Sequence, residues 1–333
     1  MMRLPRFQYF APRTVGEAAQ LLSDWGPEAQ VVAGGTDLYP NMKRRQETPT
    51  RVIGLRGIPS LRTASGDEKS GFVLGAMTSL TRLENDRAVA AAWPALTHAA
   101  RLISTPPLRN MGTLGGNLCL DTRCNYWDQN YEWRKGIDFC LKKDGDVCWV
   151  APGSARCWAV ASSDTAPVLC AIGAEVTLVS TDGERRIPVA ALFADDGIRY
   201  LTKRRDEILS AIHLPSPTSA HGGRTRAVYR KLRRRNSFDF PVLGVAAAAR
   251  LAQDGVTIEQ ASLVVTGTGS RPHLAPTAKL LGGRLDDDAL LTEVARDAAQ
   301  LAKPLDNTDF ALGWRKELAR QYLLDALRSL ASA

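Results

Sequence analysis

Two short glycine turns constrain this chain more than any other feature. The first, "AGGTDL" at residues 33–38, follows Val31, Val32 and Ala33, an apolar run that reads as a buried strand, and continues into a loop or helix start at "TDLYPNMKRR". Successive glycines let the backbone bend sharply and approach a ligand, and the amides that follow can converge on an anion such as a pyrophosphate. Taken alone, such a stretch is only a tight turn. The second, "NMGTLGGNL" at 110–118, repeats the Gly-Gly pair among hydroxyl and amide side chains. Two such turns fit one extended phosphate-bearing ligand better than two chance loops. Neither has the G-x-G-x-x-G spacing of a dinucleotide βαβ unit or the Gly-Lys-Ser/Thr of a P-loop, so a nucleotide here requires a different fold.

The surrounding pattern mixes helices and strands. "TVGEAAQLLSDWG" places Thr14 and Glu17 in a capping-box arrangement ahead of Ala18, Leu21 and Leu22, and ends on glycine, which predicts a short helix. "TRVIGL" at 50–55 reads as a strand, as does the start of "FVLGAMTSLTRLEN". "HAARLISTPPLR" is helix-like, and "AEVTLVSTDGERRIPVAAL" is a hairpin turning at Asp182-Gly183. "TSAHGGRTR", near 216–226, reads as a linker. Beyond it come the basic strand "AVYRKLRRR", strands at 243–252 and 261–267, and two amphipathic helices, "DDALLTEVARDAAQLA" and "RKELARQYLLDALRSL".

At 333 residues the chain has room for two or three domains. With no secretory h-region at its start and no apolar run of about 18 residues, it reads as soluble and cytoplasmic, with no membrane role. The net charge of +8 comes from patches at 43–45, 203–205 and 230–235, which could touch phosphate or form a solvated face. Aromatics are only 7% of the chain and do not interleave with the basic runs, which argues against nucleic acid.

In a reducing compartment, clustered cysteines more often bind metal or do chemistry than form disulfides. Cys124, Cys140, Cys148 and Cys157 fall among Lys135, Lys142, Lys143 and Arg156, which can offset thiolate charge. Four thiolates suit an iron–sulfur cluster or a structural zinc. Neither zinc knuckles nor ferredoxin spacing is present, so cluster, zinc and ordinary thiols all stay open on spacing. Cys170, in the apolar "APVLCAIGA", reads as a core residue; Cys119 is a rival ligand whose apolar neighbours favour burial. His98, His213, His221 and His273 are scattered without metal-ligand spacing, and no nucleophile elbow is present, so no catalytic acid, base or nucleophile is assigned.

"AGGTDL", "TLGGNL", "SSDTAPVL" and "YRKLRRRNSFDFPVLGVAAAA" occur in this order, and over nearly its whole length the chain resembles the FAD-binding medium subunits of the xanthine dehydrogenase and carbon monoxide dehydrogenase family of molybdenum hydroxylases. Most members run directly from the "GGN" turn into the "SD" segment; this chain inserts about forty residues there, and the insert holds the four cysteines. The insert, with its "NYWDQNYEWRK", is similar to that of 4-hydroxybenzoyl-CoA reductase β subunits, which implies a [4Fe-4S] cluster on Cys124, Cys140, Cys148 and Cys157.

The resemblance implies an α+β fold. A two-subdomain FAD-binding domain of the PCMH type would occupy residues 1–220, with subdomains near 1–57 and 58–220 and a cluster-binding insert at 122–160. A C-terminal domain at 221–333 would carry an antiparallel sheet and a helix bundle. FAD would be held by Val31, Val32, Ala33, Gly34, Gly35, Thr36, Asp37 and Leu38 around the pyrophosphate, and by Gly112, Thr113, Leu114, Gly115, Gly116 and Asn117 on its second side. Ile103 and Asn125 would be flavin neighbours. Asp164 would accept a hydrogen bond from the ribose or adenine end, unless it caps the helix that follows. Lys231 matches a family lysine near the flavin, where its charge would stabilise an anionic reduced form.

Implied partners are a large subunit with the molybdenum cofactor, a small subunit with two [2Fe-2S] clusters, and ferredoxin as donor. The implied role is the electron inlet of a 4-hydroxybenzoyl-CoA reductase that dehydroxylates its substrate to benzoyl-CoA. The alternative is the FAD subunit of a xanthine or carbon monoxide dehydrogenase type enzyme that passes electrons outward to NAD or a quinone.

Overall fold

The structure, a computed structural model, describes residues 3–218 and 223–332, and among them three sheets organise the chain. The first is parallel, with strands Gln8–Phe10, Arg51–Gly54 and Ala29–Val32 side by side. Helix Val15–Trp25 covers it. Thr14 caps this helix by accepting from the Glu17 amide at 3.1 Å, while the Glu17 carboxylate accepts from the Arg13 amide at 2.8 Å, one residue earlier than a standard capping box. Gly26, at φ 49°, ends it. Strand Gln8–Phe10 is too short and too exposed to show an alternating pattern, and sequence reading missed it.

The second sheet has five antiparallel strands in the order Ala64–Asp67, Gly71–Gly75, Ile208–Leu214, Glu175–Ser180, Gly183–Pro188. Its hairpin turns at Asp182-Gly183 as expected, with Ser180 opposite Gly183. Helices Pro94–Arg101 and Thr165–Ala171 pack on it through Leu96, Val168 and Leu169. The stretch "HAARLISTPPLR" is not one helix. Pro94–Arg101 stops, Ser104 turns at φ 48°, and a new helix begins at Pro106, because proline can open a helix but cannot continue one.

The third sheet is antiparallel, ordered His273–Ala275, Ile258–Thr266, Leu243–Leu251, Thr225–Leu232. Strand Leu243–Leu251 is buried on both faces. Val245, Ala247 and Ala249 join the core of helices Asp288–Ala298 and Leu312–Ser329, whereas Ala246 and Ala248 join the core beneath the second sheet. Small side chains allow both contacts, and double burial erases the in-out alternation of a half-exposed strand. The linker expected at 216–226 falls partly outside the described residues, and His221 lies outside them altogether.

The segment 122–160 is irregular apart from helix Tyr131–Gly136 and docks on the first unit. Arg134, 1% exposed, donates to the Arg44 and Arg45 carbonyls at 3.3 and 3.1 Å, and Gln46 donates to the Trp127 carbonyl. The Arg134 guanidinium also faces the rings of Trp127, Tyr131 and Phe139. A lone buried arginine is costly, and these carbonyls and π faces are what offset it. Among the described residues no helix is long and apolar enough to cross a membrane.

Candidate functional site

The two glycine turns meet. A Cβ on Gly34 would collide with the Met111 carbonyl, and one on Gly115 would press on Ala76 at 2.7 Å. Gly35, at φ 75°, takes the left-handed conformation that lets the first turn reverse. The second turn is fixed by Thr113, whose hydroxyl accepts from the Gly116 amide at 3.0 Å, and by the Gly115 amide donating to Ala76 O at 2.9 Å.

Between the turns runs a cleft of about 1020 Å³. Val31, Val32, Ala33, Gly34, Gly35, Thr36, Asp37 and Leu38 line it, as do Ile103, Gly112, Thr113, Gly115, Gly116, Asn117 and Asp164. Three of the expected residues do not line the cleft. Leu114 points into the core and is fully buried there. Asn125 is exposed, off the cleft, with its amide donating to Asn307 O at 2.8 Å. Lys231 does not reach the cleft wall; its ammonium donates to Asp164 at 2.9 Å and to Leu102 O at 3.0 Å.

Asp164 occupies the N-cap position of helix Thr165–Ala171 but makes no capping bond. One carboxylate oxygen accepts from Tyr229 at 2.8 Å and the other from Lys231. Burial pushes the Asp164 carboxyl up and the Lys231 ammonium down, and their mutual contact pulls both back toward the charged forms. The pair joins the start of this helix to the third sheet.

The basic run Lys203, Arg204 and Arg205, read as able to touch phosphate, lines the cleft. Sequence reading missed Tyr200, Glu207, Phe238 and Phe240, which line it too, together with Trp127 and Lys142 from the segment 122–160. Burial keeps the Tyr200 phenol neutral, well above its ordinary value. Phe238 and Phe240 lie half-exposed within "NSFDFP", where aromatics in a polar turn were the available signal. The basic run 203–205 is held largely by protein partners: Arg204 by Asp182 and Asp206, Arg205 by Pro27 O, and Lys203 by Glu207 O.

The polar chemistry of the cleft fits a dinucleotide. Among the described residues, Ser162 Oγ and Asn41 Oδ1 are buried without a hydrogen-bond partner, and both residues line the cleft. Such atoms are costly unless a ligand satisfies them. Asn117 Oδ1 is already committed, accepting from Ser163 and Thr165 hydroxyls at 2.7 Å each, which ties the second turn to residues 163–165.

A second, smaller cavity is walled by Cys124, Cys140, Cys148 and Cys157, all 5–7% exposed, with Trp127, Leu141, Lys142 and Trp149. Cys119 lines the cleft instead, and Cys170 belongs to the core, so neither is a rival ligand. Of the four cationic neighbours expected, Lys142 reaches this wall. Arg156 pairs with Asp195 at 2.9 Å, Lys143 donates to Gln46 O, and Lys135 is exposed. Among the described residues no three histidine, cysteine or carboxylate side chains close on one ion position. Burial pushes the Cys124 thiol up to about 12 and the Cys157 thiol up to about 11, so thiolates here require a cationic occupant. Asp138, Phe139 and Asp144, close in sequence to Cys140, take left-handed backbone at φ 60°, 58° and 66°.

Residues 5–217 match the family model described as the FAD binding domain in molybdopterin dehydrogenase, and residues 227–330 match the CO dehydrogenase flavoprotein C-terminal domain. The chain is 28% identical to the carbon monoxide dehydrogenase medium chain of Hydrogenophaga pseudoflava over 334 residues, 98% of this chain and 97% of that one. It is 30% identical to the aldehyde oxidoreductase FAD-binding subunit of Escherichia coli, covering 75% and 81% of the two chains. It is 26% identical to the nicotine 6-hydroxylase medium subunit of Paenarthrobacter nicotinovorans, covering 98% and 99%. Among solved structures, carbon monoxide dehydrogenase from Hydrogenophaga pseudoflava lacking the Mo-pyranopterin moiety aligns with a TM-score of 0.78 at 26% identity over 99% of both chains.

Proposed function

The chain belongs to the FAD-binding subunits of the molybdenum hydroxylase family, and from that membership we propose that it is the electron-transfer subunit of a complex whose large partner holds a molybdenum cofactor and whose small partner holds two [2Fe-2S] clusters. When bound, FAD supplies the exchange between paired and single electrons. The chain's own work is to hold it. The backbone of Val31–Leu38 and of Gly112, Thr113, Gly115 and Gly116 would hold the pyrophosphate from two sides, and Ser162 and Asn41 would offer buried polar atoms to the cofactor. Ile103 walls the cleft. Asp164 and Lys231 act as positioning residues, locking the cleft floor to the third sheet.

We further assign the cavity of Cys124, Cys140, Cys148 and Cys157 to a [4Fe-4S] cluster. The observation that carries this reading is that four cysteines spread over residues 124–157 turn their thiols to one buried space beside the cleft. Thiolates are the usual ligands of such clusters. With the insert's similarity to 4-hydroxybenzoyl-CoA reductase β subunits, this favours an inlet subunit that takes electrons from ferredoxin for reductive dehydroxylation. No acid, base or nucleophile of this chain is required, because substrate chemistry belongs to the molybdenum subunit.

A second reading, a subunit passing electrons outward to NAD or a quinone, is favoured by the dehydrogenase names of its relatives. Anaerobic purification of the complex separates the two. The inlet reading expects FAD, about four irons and four sulfides in this chain, and consumption of 4-hydroxybenzoyl-CoA driven by reduced ferredoxin. FAD without iron in this chain, and NAD or quinone reduction by an oxidisable substrate, would establish the second.

A further inference from the structure

Trp127 and Lys142 line both the FAD cleft and the cysteine cavity, and among the described residues they are the two side chains that do. Trp127 is 2% exposed, and the Lys142 side chain is 6% exposed. The ammonium lies 5.3 Å from the Trp127 ring centre and 5.4 Å from that of Tyr200, on the cleft side. It donates to Asp121 and Thr122 at 2.8 Å each, and to the Gly197 carbonyl. Asp121 lines the cleft and not the cavity. The ion pair is therefore oriented, with its cation at the boundary and its anion on the FAD side.

An apolar side chain could close this wall without the cost of desolvating two charges. A buried charge is also weakly screened, so it acts on any charge change beside it. Reduction adds negative charge, and the potentials of both iron–sulfur clusters and flavins respond to neighbouring charges. Resting on the assignment of FAD and a [4Fe-4S] cluster, we propose that Lys142 and Asp121 form an oriented charge pair that sets the potentials of the two redox sites: Lys142 raises both, and Asp121 lowers chiefly the flavin's. One electron crosses the shared wall in each transfer, and neither residue gains or loses atoms. Lys142 and Asp121 are thus positioning residues whose effect is electrostatic.

The test is a redox titration of the anaerobic holocomplex, following the cluster by EPR and the flavin by absorbance, in wild type, Lys142→Met, Lys142→Arg and Asp121→Asn. Lys142→Met should lower both midpoint potentials, Asp121→Asn should raise the flavin's, and Lys142→Arg should stay near wild type. A merely structural pair would make Lys142→Met and Asp121→Asn act in the same direction. Same-direction shifts, or unmoved potentials in fully loaded variants, would overturn the proposal. If Lys142→Met fails to load, the upward flavin shift in Asp121→Asn together with wild-type potentials in Lys142→Arg still decides it. A wild-type chain with FAD but no cluster iron or sulfide would overturn the cofactor assignment itself, and is seen before any variant is made.

Discussion

The Lys231 ammonium stands 2.9 Å from the Asp164 carboxylate, with the two side chains 1% and 4% exposed, so the start of helix Thr165–Ala171 and the third sheet are joined through a buried ion pair at the edge of the cleft. Removing one partner of such a pair leaves the other charge buried and unpaired, at a cost of about 3–5 kcal/mol. Asp164→Ala should therefore destabilise the chain by that amount and weaken FAD retention. Adding Lys231→Met should recover most of the stability, because no orphan charge remains. Thermal unfolding of the single and double variants checks this; equal losses in both would show that the charge is not what matters.

Gly34 faces the Met111 carbonyl across the junction of the two turns, with no room for a methyl group. Gly34→Ala must push backbone against backbone and should release FAD. Gly136 ends a short helix with open space around its Cβ direction. Gly136→Ala should leave FAD in place and be neutral or stabilising by up to about 1 kcal/mol. Flavin absorbance of the purified variants distinguishes the two.

Cys140→Ser or Cys148→Ser should abolish the cluster signal and iron content while leaving FAD bound, because neither residue lines the cleft. Cys170→Ser, in the core of the second sheet, should keep its iron and lose stability. Iron, sulfide and flavin analysis on the same preparations is the measurement.

Arg185 grips Glu207 with two hydrogen bonds, at 2.5 and 2.8 Å, and the Arg204 amide adds a third at 2.6 Å. The Arg185 hydrogen bonds hold the Glu207 carboxyl below its ordinary value of 4.5. A lowered folded value means the carboxylate stabilises the fold fully above that ordinary value and less as pH falls through the depressed one. The melting-temperature gap between wild type and Glu207→Gln should be widest near neutrality and close as the pH drops below 4.5. A gap that stays constant with pH would assign the loss to packing.

Much of the cleft was legible because it is built from local backbone. Val31–Leu38 and the turn at 112–117 line it where the glycine pairs predicted, since a Gly-Gly bend needs no distant partner to declare itself. The cysteines were legible as a group by residue type, but spacing left cluster, zinc and ordinary thiols open. Leu114 shows the limit: it sits inside a motif whose neighbours line the cleft, yet helical geometry turns it into the core.

Lys231 and Asp164 show the larger limit. Each was read as a group for the cofactor, and folding brings them to each other across 67 positions of sequence. The glycine turns, the helix cap at Thr14 and the Asp182-Gly183 hairpin are short-range matters of sterics and hydrogen bonding, and the chain itself determined them. Tertiary structure decided which charges are spent on one another, which phenylalanines of "NSFDFP" reach the cleft, and that Trp127 and Lys142 separate two cavities. Those outcomes depend on contacts between distant segments, where a buried charge takes whatever partner the packing supplies, and no local pattern encodes that choice.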